Sequence, residues 1–146
     1  MTSTTASVEV RAGIPGIGLE QLEDGRYSYP SLTSNFVKLF RNNGFTVTFD
    51  HERAQRVEVS HNAADAWLPV LAFSQAVLAN IPANIISSII MNFFGAAGIK
   101  RTTLHVKFVV VSSDGSVEKF EAHGPGDDVV EAIDAFQRKH GRRGTR

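Results

Sequence analysis

The chain has no cysteine, which excludes disulfides, thiolate nucleophiles and cysteine-held metals, and leaves a reducing compartment open to it. Its first residues, MTSTTASVEV, carry neither the basic flank nor the apolar run of a secretory signal, so a cytoplasmic location is the expectation. Net charge is zero, and no global field gathers nucleic acid or an anionic surface. No GxSxG elbow, GxxxxGK[ST] loop or HExxH pair occurs, and Gly13, Gly16 and Gly18 stand in the wrong order for a dinucleotide fingerprint. One further absence is local and says more than these. The 34 residues from Ala66 to Ile99 contain no formal charge at all.

What remains is ordinary for a globular domain. Hydrophobic residues make up 42% of the 146, enough for one core, and no linker or repeat divides the chain. Val8 and Val10 alternate with Glu9 and Arg11, the pattern of a half-buried strand. Leu19–Leu22 suggests a second, short strand. A helix is expected from Pro30 to Asn43, with Leu32, Phe36, Leu39 and Phe40 on one face and Gly44 at its C-terminal stop. Strands follow at Phe45–Phe49 and Arg56–Ser60, with DHERAQ as the turn between them. Later, Leu104, Val106, Phe108 and Val110 alternate with Thr103, His105, Lys107 and Val109. The chain turns at Ser113-Asp114-Gly115-Ser116 and returns over Val117–Ala122.

Gly124-Pro125-Gly126 breaks that strand, and Asp127 and Asp128 suit the start of a final helix. Val129, Val130, Ile133 and Phe136 form the apolar stripe of this helix, which Gly141 closes. Residues 1–7 and 141–146 are expected to be flexible. The fold class that follows is a single α+β domain over 1–146. A largely antiparallel sheet packs against a central uncharged helical pair, with a C-terminal β-hairpin and helix.

The uncharged block is read as that pair, spanning 64–95 and broken near Pro82, where a proline removes a helical hydrogen bond. On a helical wheel, Ile85, Ile86, Ile89, Ile90, Phe93 and Phe94 lie opposite Asn84, Ser87, Ser88, Met91, Asn92 and Gly95. In the first half, Trp67, Val70, Leu71, Val77, Leu78 and Ile81 lie opposite Ala72, Ala76, Ala79 and Asn80. Each half is short of the ~20 residues that span a bilayer. Their weakly polar faces suit close helix–helix contact. Trp67, Ala72, Ala76, Asn84, Ser87, Ser88, Met91 and Asn92 are therefore the candidate interaction residues. The alternative is a membrane-inserting or membrane-perturbing protein that uses residues 66–99, which would make the location membrane-associated.

Elsewhere the chemistry is sparse. His105 and His123 fall on paired strands and come within reach of one another, but solvated sheet-face histidines are the plainer reading, as for His51 in its polar turn Asp50-His51-Glu52. No catalytic residue, metal ligand or cofactor is expected, and no small-molecule substrate is evident. The basic end, with Arg138, Lys139, Arg142, Arg143 and Arg146, is the one candidate contact for an anion, lipid or nucleic acid. It lacks interleaved aromatics, so a nucleic-acid partner is not expected.

From about residue 45 onward the chain resembles a known family. Strands precede the uncharged segment, then come VKFVVVSSDGSVE and GPGDDVVEAIDAF. The order is similar to that of the small effector-associated constant components inferred for bacterial conflict systems. That resemblance implies a non-enzymatic adaptor placed beside diverse effectors. Together with the uncharged block, it leads to the expectation of an interaction protein that self-associates or binds an effector.

Overall fold

Alternating valines, aromatic pairs and a run of isoleucines sort much of the chain into a central sheet with helices against it. The computed structural model describes residues 6–16, 21–59, 65–82 and 84–143. The strand expected at Leu19–Leu22 lies in part outside them, and Arg146 lies wholly outside. Strand β1 (Ser7–Arg11) is followed by β2 (Tyr27–Pro30), α1 (Thr33–Asn42), β3 (Thr46–Phe49) and β4 (Arg56–Val59). Then come β5 (Asp65–Trp67), β6 (Val70–Ser74), α2 (Gln75–Asn80), α3 (Ile85–Phe94) and α4 (Ala96–Arg101). The chain ends with β7 (Thr103–Val111), β8 (Val117–Pro125) and α5 (Gly126–Arg143).

The central sheet runs β3-β1-β6-β7-β5, with β8 on the other side of β7, and β2 pairs with β4 in a separate two-stranded sheet. This is the expected mixed α and β fold with its C-terminal hairpin and helix. Within the central sheet the antiparallel ladders, led by β7–β8, cover slightly more positions than the parallel ones. The sheet face bearing Val8, Val10, Leu71, Phe73, Leu104, Val106, Phe108 and Val110 packs against Phe36 and Phe40 of α1, Ile86, Ile89 and Ile90 of α3, and Val129 and Ile133 of α5. Val70, Ala72 and Val109 form a small apolar cluster of their own.

The first half of the uncharged block corrects the sequence reading. It is not a helix: Asp65–Trp67 and Val70–Ser74 are strands, and the helical pair spans only residues 75–94. The physical reason lies in burial. Val70, Leu71, Ala72 and Phe73 are all buried, so the strand shows a continuous apolar run without alternation, which a buried helix would show equally. Both strands run parallel to β7, but Trp67 faces His105 whereas Leu71 faces Phe108. One extra residue is thus accommodated between them, a bulge at Leu68-Pro69 where the proline has no N–H to contribute to the ladder.

The break near Pro82 is present. Helix α2 ends at Asn80, and α3 begins after Asn84, which takes a left-handed φ of 73°.

Smaller boundaries shift as well. Ser7 already belongs to β1, and Pro30 belongs to β2, so α1 starts at Thr33. Gly44 does end α1 with φ of 91°. β8 continues through Pro125 directly into α5, without an intervening loop. Gly141 does not close α5, which reaches Arg143; one helical glycine costs only about 1 kcal/mol.

Candidate functional site

The residues chosen as an interaction face part company in the structure. Trp67 lies on β5 and Ala72 is buried on β6, so neither shares a helix with the others, and Ala76 is exposed on the separate helix α2. Ser87 is buried: its hydroxyl donates to Asp134 on α5 at 2.6 Å. Asn84, with its amide turned to donate, reaches both oxygens of the same carboxylate at 2.9 and 3.0 Å. These two side chains fasten α3 to α5 and do not reach outward for a partner.

What stays open is narrower and continuous. Ser88 and Asn92, one helical turn apart, are exposed on α3, with Met91 half-buried beside them. Gly95, Ala96 and Ala97 extend this surface into the start of α4 and are exposed too. Behind it, Phe93 and Phe94 pack edge to face, and Phe93 meets Phe36 of α1 with ring centroids 5.4 Å apart. The surface is therefore backed by rigid aromatic packing, and its own side chains are small or amide-bearing. Among the described residues, no helix is long and apolar enough to cross a membrane.

Two side chains of the basic end are engaged within the fold. Arg138 lies 3.9 Å from Asp134, and Lys139 donates to Glu118 at 3.3 Å. Partial burial pushes the Glu118 carboxyl up, but the hydrogen bond from Lys139 and the neighbouring positive charges outweigh it and hold the group below its ordinary value. Arg142 and Arg143 lie on the last turn of α5.

Two clusters exceed what the residue spacing suggested. His105 and His123 face one another across β7 and β8 with ring centroids 5.6 Å apart, as the hairpin required. His105 is not merely solvated, however. Its Nε2 lies 2.9 Å from Asp65 Oδ2, and Trp67 stacks on its ring at 4.6 Å and 11°. The two histidines line a cleft of about 420 Å³ with Glu121 and Asp128. No group of three or more metal-ligating side chains is assembled among the described residues.

The polar turn is likewise tied down. Tyr29 donates its hydroxyl to Asp50 at 2.6 Å, and His51 stacks on Tyr27 at 3.5 Å. Burial, then the hydrogen bond to Asp50, raises the Tyr29 phenol far above its usual range.

Sequence reasoning missed Asp65 as the partner of His105, because a helix was expected there. It also missed a second cleft beside α1, whose signal was the spacing of Ser34, Lys38 and Arg41 along one helical face. Compared with known proteins, the chain matches no family model, no curated protein and no solved structure.

Proposed function

We propose that this chain is a small non-enzymatic interaction component that pairs with a second copy of itself through the open surface of α3 and α4. The carrying observation is that Ser88, Met91, Asn92 and Gly95–Ala97 form an outward surface inside a block of 34 residues without charge. Soluble helices normally carry Lys or Glu on a wet face. A surface without charge selects no oppositely charged partner. A second copy offers the same surface, and hydroxyl and amide groups that both donate and accept are self-complementary across a two-fold axis. Glycine and alanine at its edge let two backbones approach closely.

The sequence resemblance to effector-associated constant components, carried by VKFVVVSSDGSVE and GPGDDVVEAIDAF, is what suggests an adaptor role in bacterial conflict. Sedimentation velocity across low to high micromolar concentration tests the reading. A dimer is expected, and Ser88→Lys with Asn92→Lys should return it to monomer without loss of helix content. A monomer throughout, or a dimer indifferent to both lysines, would overturn self-association. Capture of a single effector through the same two residues would replace the second copy with that partner.

A further inference from the structure

The second cleft, about 480 Å³ in volume, lies between α1 and the β2–β4 sheet. Lys38, Arg41, Arg53 and Arg56 line it, contributed by α1, the short 3₁₀ turn Arg53–Gln55 and β4. Four cations thus converge from three elements in a chain whose net charge is zero. Among the described residues, none of the four lies in an ion pair. Arg41 donates to the Val47 carbonyl at 3.2 Å, and the Arg56 guanidinium sits over the Phe49 ring at 3.6 Å. The one carboxylate lining the cleft, Glu58, is already committed. It accepts from the Ser34 N–H at 3.2 Å and from the Ser34 hydroxyl in the first turn of α1. Its single negative charge is thus held at the helix start, out of ion-pair contact with the four cations, and the lining keeps an excess of three positive charges.

Like charges brought together repel, and a fold keeps them so at a cost unless something neutralises them. We propose that this cleft binds a compact polyphosphate group, as carried by inorganic pyrophosphate or a nucleoside diphosphate. Guanidinium groups match phosphate oxygens with paired N–H donors, and a lysine adds a point charge. The volume falls in the range of small-ligand sites. A single-stranded nucleic acid fits less well, because its bases need exposed aromatic platforms. Here Phe49 is covered by Arg56, and Tyr29 is buried with its hydroxyl on Asp50. The cleft reads charge, not bases.

Calorimetric titration of the full chain with pyrophosphate, ADP and adenosine tests the proposal. Pyrophosphate and ADP should bind, adenosine should not, and affinity should fall as salt rises. Lys38→Glu with Arg53→Glu, both exposed and remote from the core, should weaken binding at least tenfold. Lys119→Glu, a charge reversal of the same kind at one position on β8, should leave it intact. No binding of either phosphate, or equal weakening by the Lys119 control, overturns the site. Binding of an oligonucleotide in the absence of any binding of pyrophosphate or ADP overturns the small-ligand assignment.

Discussion

The Ser87 hydroxyl donates to the Asp134 carboxylate at 2.6 Å, joining α3 to α5 across 47 residues of sequence. Hydrogen bonds to charged acceptors contribute about 1.5–3 kcal/mol. Ser87→Ala is expected to lower the free energy of unfolding in urea by that order. Asp134→Ala should cost more, since it also removes the acceptor of the Asn84 amide. If Asp134→Ala proved as stable as the parent chain, this fastening would be incidental.

Gly126 opens α5 under the backbone of α4. A Cβ built there would lie 2.1 Å from the Ile99 carbonyl oxygen and 2.8 Å from its side chain. Backbone cannot swing aside as a flexible side chain does, so Gly126→Ala should destabilise by about 1–3 kcal/mol or more. Thermal melting checks this. Gly98→Ala, whose nearest neighbour is the Phe94 Cβ at 3.9 Å, is the contrasting variant and should melt near the parent temperature.

Tyr29 makes alkaline stability depend on one phenol. Its folded value lies above the ordinary 10.0, because burial and the Asp50 hydrogen bond favour the neutral form. The sign follows from the unfolded chain, which ionises first. The contribution is complete below pH about 10 and is lost as pH rises beyond it. Tyr29→Phe should therefore flatten the alkaline limb of the stability profile while costing about 1 kcal/mol at neutral pH. A parent chain as insensitive above pH 10 as the variant would contradict this.

Trp67 is the sole tryptophan, so its emission reports the contact with His105. Asp65→Ala removes the partner that holds the imidazole at 2.9 Å. The ring is then free to leave the indole, and emission should shift in wavelength or intensity at constant backbone circular dichroism. His105→Ala should reproduce the shift. A shift in His105→Ala with none in Asp65→Ala would show that the stack does not depend on this hydrogen bond.

Legibility in the sequence followed the range of the interaction that decided each element. The β7–β8 hairpin was readable because alternation and the Asp114-Gly115 turn are local: Ser116 donates its N–H to Asp114 at 2.9 Å, and Gly115 takes φ of 88°. The α5 stripe was readable for the same reason. Residues 70–74 misled because a strand buried on both faces has no alternation, and its partners β1 and β7 lie far away in the chain. β2 was not foreseen at all; YSYP acquires strand geometry only by pairing with β4. Of the candidate interaction residues, the helical wheel put Ser88 and Asn92 on the side of α3 that is exposed, with Met91 half-buried beside them. It misplaced Ser87, because a wheel cannot show that Asp134 waits on one flank of the polar side.

The position of β6 has a bearing on whether the uncharged block could ever leave the domain. β6 is hydrogen-bonded to β1 on one side and to β7 on the other, so the block begins inside the sheet and not beside it. Withdrawing residues 66–99 would split the sheet into β3-β1 and β7-β8 and strip β1 and β7 of their ladder bonds to β6 and β5. Such a release has no local hinge to act through; it draws on the stability of the whole domain. A trigger that freed this segment would thus be indistinguishable in energy from global unfolding, and core-weakening variants far from the segment would promote it as effectively as variants within it.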